Sequence, residues 1–272
     1  MKHIFAIILS IMLLTACGES ERVQFGQLQQ IDSIAEVNVD SAIVLLNAIN
    51  RDSLSSNDNK YYFDLLQIRA SDKAYIAHTS DSAILSVINY FENHDFNNLL
   101  PIAYYYGGRV YSDLGDAPQA LEYFQKALDC ESTNTNLLLN GKISSQMGQL
   151  MIKTQLYHQA KYKFKEAISY NIKSNDSLAL MFNYSNLGSA YKWVEKPDSS
   201  IYFIKKAIDI ATQKNINNEY KMLMHCHIAS VYAYKKDFIR AKIELEKCIS
   251  FFYTPKNQIY AYCIACNIYI AI

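Results

Sequence analysis

The sequence predicts an all-α chain built of helix-turn-helix repeats with a period of about 40 residues, a length within the range of helical repeat families. Only four of 272 residues are proline and eight are glycine, while half are apolar. That composition can bury a large core but supplies few of the turn residues an all-β chain needs. Past residue 98 the chain also repeats itself, with small and aromatic residues returning at fixed spacing, and such self-similarity fixes the architecture before any local signal does. The 22 tyrosines and 12 phenylalanines suit helices that pack through bulky rings with polar tips. Charge excludes one class of partner: 26 basic and 26 acidic side chains make no strong field, so nucleic acid is not expected to bind.

Residues 1–16 are expected to be a signal peptide. Lys2 and His3 precede an apolar run from Ile4 to Leu14, too short to span a bilayer as a stable helix but right for a signal-peptide core. The run closes on Leu14-Thr15-Ala16-Cys17, which resembles a bacterial lipobox. The resemblance implies lipidation on Cys17 and cleavage before it. The alternative is an ordinary secretory signal with an incidental cysteine. Cleavage would remove Lys2 and leave 25 basic against 26 acidic side chains. Residues 17–24, small and polar from Gly18 to Arg22, are expected to be a lipidated tether, held to a membrane by acyl chains.

Residues 25–98 are expected to be helical but degenerate. Asp40-Ser41-Ala42 precedes Leu45, Leu46 and Ile49, and Asp81-Ser82-Ala83 precedes Val87 and Ile88. Each looks like the start of a second helix, with Asp40 and Asp81 as N-caps.

Residues 99–272 carry the clear repeats. In the unit starting near 101, Tyr104, Gly108, Tyr111, Ala120, Phe124 and Ala127 stand at places four, eight, eleven, twenty, twenty-four and twenty-seven. The unit near 141 has Met147, Gly148, Met151, Ala160, Phe164 and Ala167, and that near 181 has Tyr184, Leu187, Gly188, Tyr191, Ser200, Ile204 and Ala207, with Ser199 expected as a helix cap. A fourth near 222 keeps Ile228, Ala229, Tyr232, Ala241 and Leu245 but places His225 at four and Cys248 at twenty-seven, and a partial unit begins at about 259. Place eight thus falls in turn on Gly108, Gly148, Gly188 and Ala229, an almost constant step of about 40 residues. A small residue there lets two helices touch, and small residues at twenty and twenty-seven admit the neighbour's bulk. The pattern resembles the tetratricopeptide repeat (TPR), which implies a right-handed α-solenoid.

No catalytic residue, metal site or cofactor is expected. His225 and His227 lie about 200° apart on a helix, so with Cys226 they cannot both face one metal, and Cys263-Ile264-Ala265-Cys266 lacks the second pair of a zinc ribbon. Cys130, Cys226, Cys248, Cys263 and Cys266 are an odd set, and buried thiols are their expected state. No phosphate loop, HExxH or GxSxG occurs, and the carboxylates are scattered over helix faces, so the chain is not expected to be an enzyme.

The TPR resemblance implies a concave groove lined by places two, five, nine, twelve and thirteen of each first helix. Those places give Tyr105, Arg109 and Asp113, then Lys142, Ser145, Gln149 and Lys153, then Phe182, Ser185, Ser189, Lys192 and Trp193, and finally Leu223, Cys226, Ser230 and Tyr234. Tyr105, Arg109, Gln149, Lys153, Ser189, Lys192, Trp193 and Tyr234 are the expected peptide-binding residues. A basic stripe interrupted by aromatic rings suits an extended peptide carrying carboxylates and apolar side chains, against the alternative of a solvated helix face. The stripe departs from the carboxylate clamp of chaperone-binding TPRs, having Tyr105 in place of lysine and Arg109 in place of asparagine.

The lipobox, the Asp-Ser-Ala segments and Tyr104-Tyr105-Tyr106-Gly107-Gly108-Arg109-Val110-Tyr111 together resemble TPR lipoproteins of Bacteroidetes. The resemblance implies a lipid-anchored scaffold or adaptor in the bacterial cell envelope, facing periplasm or cell surface, with a protein or peptide partner. Two alternatives stand beside it: the sensor half of a membrane-tethered transcriptional regulator, and a glycan- or nutrient-binding outer-membrane lipoprotein.

Overall fold

The computed structural model describes the backbone of residues 2–130 and 135–248, and within those ranges the side chains from residue 20 onward. The side chain of Cys17 and the partial unit from about 259, with Cys263 and Cys266, lie outside the described residues. Among the described residues every regular element is helical. The chain divides into two compact units, Met1–Ser132 and Thr133–Ile272. The first holds α1 (Lys2–Val37), α2 (Val39–Asn47), α3 (Asn57–Lys73), α4 (Ser82–Glu92), α5 (Leu100–Leu114) and α6 (Ala117–Asp129). The second holds α7 (Leu137–Lys153), α8 (Tyr157–Ser174), α9 (Ser177–Trp193), α10 (Pro197–Gln213), α11 (Asn218–Tyr234) and α12 (Phe238–Glu246). Within the first unit α5 packs on α3 and α4, so the first clear repeat shares a core with the degenerate helices that precede it.

The small residues sit where helices close on each other. A Cβ on Gly108 would lie 2.5 Å from the Phe124 ring, and one on Gly188 would lie 2.6 Å from Ile204 and 2.9 Å from the Ser200 carbonyl oxygen. At place twenty Ala120, Ala160, Ser200 and Ala241 are fully buried, as are Ala127, Ala167, Ala207 and Cys248 at place twenty-seven. Volume, more than hydrophobicity, is what these positions keep from repeat to repeat.

Each first helix from α3 onward ends in the same way. Tyr75, Gly115, Gln155, Glu195 and Lys236 all have positive φ, between 58° and 81°. The next residue in each case donates its N–H to the carbonyl five positions back, at 2.7–3.0 Å, which closes a Schellman turn. The step from Tyr75 to Gly115 equals that from Gly115 to Gln155 and from Gln155 to Glu195, so the α3–α4 hairpin shares the register of the clear repeats.

Three local expectations are corrected. The cap of α2 is Asn38, which accepts from the Ser41 N–H at 3.0 Å, and not Asp40. Asp81 does precede α4, but its carboxylate accepts from the Tyr111 hydroxyl at 2.8 Å instead of capping. Ser199 lies inside α10, which Pro197 starts because its fixed φ suits a first helical turn. Residues 20–24 run as part of α1, where Gln24 Oε1 accepts from the Ser55 N–H and hydroxyl, both at 2.8 Å. Leu28, Ile31 and Ala35 then bury against Ala42, Leu46, Tyr62 and Leu66. Among the described residues no helix is long and apolar enough to cross a membrane.

Candidate functional site

The left-handed residues align the repeats position by position. Six residues before them stand Arg69, Arg109, Gln149, Ser189 and Ser230; three before, Asp72, Ser112, Ile152, Lys192 and Ala233; two before, Lys73, Asp113, Lys153, Trp193 and Tyr234. These columns hold most of the expected binding residues, and they differ between the two units.

In the first unit the columns are occupied by internal ion pairs. Arg109 Nε donates to Asp72 Oδ1 at 2.8 Å. Arg69 pairs with Asp32 and Glu36, and Lys73 with Glu36 at 2.8 Å. Arg109 is therefore committed to a carboxylate of its own chain. Tyr105, expected in the groove, is only 8% exposed and packs on Tyr106 and Phe124; a ring on a helix face shields the core as readily as it lines a groove. Burial pushes its hydroxyl up to about 12. Asp72, His78 and Asp113 offer ligand atoms within 4.8 Å of one another, but the Arg109 guanidinium already supplies the positive charge at Asp72. An open cleft of about 640 Å³ is lined by Glu21, Arg22, Phe25, Asp58, Asn59, His94, Asp95 and Phe96, and its Asp58 accepts from the Tyr90 hydroxyl at 2.5 Å.

In the second unit the same columns carry hydroxyls, an amide and two lysines. Lys192, at the place of Asp72, lies half-buried with its Nζ 3.4 Å from Ser230 Oγ and 5.1 Å from the Trp193 ring centre. Among the described residues no carboxylate stands within ion-pairing distance of it. Burial alone holds its ammonium below the usual lysine range. His227, on the next first helix, meets the Ser185 hydroxyl through Nδ1 at 2.9 Å. Burial first, and then the nearby Lys192 charge, pull its imidazole down to about 4, so it is neutral near pH 7. Beneath this face Ser145 donates to Asn183 Oδ1 at 2.7 Å and Asn183 Nδ2 donates to Asn171 Oδ1 at 2.8 Å.

Trp193, the last residue of α9, is 50% exposed and stacks on Tyr157, the first of α8, with ring centres 5.5 Å apart and planes at 13°. Gln149, Lys153 and Tyr234 are exposed, and the Ser189 hydroxyl donates to the Ser185 carbonyl at 3.2 Å. Most of the expected binding residues thus belong to the second unit, where α9 brings Ser189, Lys192 and Trp193 together. Cys226, at a groove place by repeat position, is fully buried, the state expected of the thiols, with its thiol donating to the Met222 carbonyl at 3.2 Å. His225 pairs with Glu244 at 2.7 Å while His227 faces Ser185, so the two imidazoles serve different helices. Tyr157 and His227 are not among the expected site residues. Each finds its partner, Trp193 and Ser185 respectively, about one repeat away in sequence, and that spacing is the signal that could have found them.

The tetratricopeptide repeat family model matches residues 103–134 and 224–251, the expected units near 101 and 222. The 43 kDa receptor-associated protein of the synapse from Gallus gallus is 22% identical over 137 residues, half of this chain and 33% of that protein, so the chain spans about a third of that curated relative. Among solved structures, a signal transduction ATPase with numerous domains from Pyrococcus horikoshii, with a tetratricopeptide repeat sensor, aligns with a TM-score of 0.71 at 13% identity, over 93% of this chain and 39% of that one. BtubC from P. vanneervenii aligns with a TM-score of 0.57 at 14% identity, over 87% of this chain and 91% of that one. The fold is all-α and made of tetratricopeptide repeats, a scaffold that typically binds proteins and is typically non-catalytic.

Proposed function

From the premise that the chain is an array of tetratricopeptide repeats, we propose that it is an exported, lipid-anchored adaptor that binds a protein or peptide partner in the bacterial cell envelope and catalyses no reaction. One observation carries the binding half of this reading. The first-helix face of the second unit exposes Trp193 and Tyr234 beside Lys153 and Lys192, and no carboxylate among the described residues pairs with those two lysines. Half-exposed rings are the residue type that anchors an interaction hot spot, and a cation without an acid beside them offers a partner carboxylate electrostatic complementarity. The anchoring half rests on the apolar run before Leu14-Thr15-Ala16-Cys17.

The test has two readouts. Expressed in a lipoprotein-processing bacterium, the full chain should fractionate with membranes and carry lipid label, and Cys17→Ala should lose both, because one thiol bears the acyl chains. Lipid-labelled, membrane-bound Cys17→Ala protein would overturn the anchor. The chain from residue 18, used as bait on solubilised envelope, should retain a partner that Trp193→Ala retains at least about tenfold less well, the cost of losing a ring anchor. Equal retention by both baits would remove this face from the reading.

A further inference from the structure

We propose that Lys192 is the receiving point for a peptide carboxylate, with the Trp193–Tyr157 stack as the platform for an apolar side chain beside it. This rests on the reading of the second unit as a peptide-binding face and names the chemistry of its ligand. The inference comes from an exchange of charge at one place in the repeat. In the first unit that place holds Asp72, and Arg109 of the following first helix meets it at 2.8 Å. In the second unit the place holds Lys192, and the residue met on the following first helix is Ser230. A neutral hydroxyl stands where the pattern of the first unit would supply an opposite charge.

The other groups on this face leave the charge unanswered. The Ser230 hydroxyl spends its proton on the His227 carbonyl at 2.8 Å, so its oxygen can only accept from Lys192. The Ser189 hydroxyl is likewise spent on the Ser185 carbonyl. His227 is neutral near pH 7 and supplies no anion. An ammonium carries three N–H donors; that of Lys192 reaches Ser230, with the Trp193 ring covering a second side. A ligand carboxylate would find a partly desolvated cation already held in place, where a charge-assisted hydrogen bond is stronger than one made in bulk water. It would also find a flat aromatic surface 5.1 Å away. A glutamate or aspartate next to an aromatic residue in an extended peptide matches both.

The chain contains one tryptophan, and it is adjacent to the lysine in question, so its emission reports this face alone. The probe is N-acetyl-Tyr-Glu-Glu-Phe amide, titrated into the chain from residue 18 and compared with its Gln-Gln counterpart. The acidic peptide should shift Trp193 emission saturably, and both the Gln-Gln peptide and the Lys192→Met variant should bind about tenfold more weakly or worse. Lys205→Met, an exposed lysine on the second helix α10, should bind like the parent. Circular dichroism melting should place Lys192→Met beside the parent, which separates loss of binding from loss of fold. Equal binding of the two peptides, equal binding by Lys192→Met, or no saturable response to the acidic peptide would each overturn the proposal. If envelope partners are still captured in those cases, the peptide-binding reading stands and only the role of Lys192 falls; if none is captured, the reading itself falls.

Discussion

The two units use the same helix register for opposite electrostatic ends. In the first, cations meet acids of the same unit: Arg109 with Asp72, Arg69 with Asp32 and Glu36, Lys73 with Glu36, and Arg51 with Asp64. Tyrosine hydroxyls of that unit do the same, Tyr90 to Asp58, Tyr104 to Glu92 and Tyr111 to Asp81. In the second unit Ser145 and Asn183 of the first helices and Asn171 of α8 form a neutral chain, and Lys153 and Lys192 in the surface columns meet no carboxylate among the described residues. A repeat fold can therefore place ion pairs in these columns along one stretch and unpaired lysines along another without changing backbone geometry, since only the side chains of a few columns differ.

The comparison breaks most clearly at Arg69. Its guanidinium is 14% exposed and serves two carboxylates, so Arg69→Ala should leave the partly buried Asp32 without its cation and cost about 3 kcal/mol. Amide hydrogen exchange localises the effect: α3 amides should lose protection while α9 amides keep theirs. Lys192→Met should leave α9 protection within about 0.5 kcal/mol, because no carboxylate is abandoned. A comparable loss in both variants would mean that the units do not differ in this way.

Packing should not distinguish the units, and that sharpens the contrast. Gly108→Leu, facing the Phe124 ring, and Gly188→Leu, facing Ile204 and the Ser200 carbonyl, should each destabilise by roughly 2–3 kcal/mol through overpacking. Unchanged thermal unfolding of either would show that the helices can part at place eight.

The most local expected effect belongs to His227 and to acid. Its imidazole, held down to about 4 in the folded chain, would take a proton in the unfolded chain near pH 6.5. Between those values the unfolded state binds more protons, so stability is complete above about pH 6.5 and is lost as pH falls toward 4, by about 3 kcal/mol. Exchange protection in α9 and α11, followed from about pH 7 to about pH 4.5, should fall more in the parent than in His227→Gln. Equal slopes would contradict the burial of a neutral imidazole between Ser185 and Lys192.

How much of this was legible in the sequence follows from which interactions are periodic. Helix pairing, the small residues at places eight, twenty and twenty-seven, and the register of the clear units can be read because each recurs once per repeat. The caps of α2 and α10 cannot, since Asn38 and Asp40 are equally good cap residues by type and Pro197 overrides Ser199 by its fixed φ. The burial of Tyr105 is not legible in the sequence because an amphipathic ring carries no sign of which way it faces. Arg109 looks available because Asp72 stands on another helix, nearly a full repeat upstream, and only an alignment of one repeat on the next brings the two together.

The left-handed residues that end the first helices are tyrosine, glycine, glutamine, glutamate and lysine in turn. All but the glycine bear side chains in a backbone state that favours glycine, and the turn is held by main-chain hydrogen bonds that any of these residues makes. The corner thus tolerates four different side chains at the modest cost of a left-handed backbone. Such a corner is also a natural point of recombination: a crossover from Gln155 to Glu195 deletes one whole helix pair and rejoins the chain at a matching dihedral state. A chain engineered with that junction should therefore shorten by one hairpin and lose only the surface which that hairpin presents.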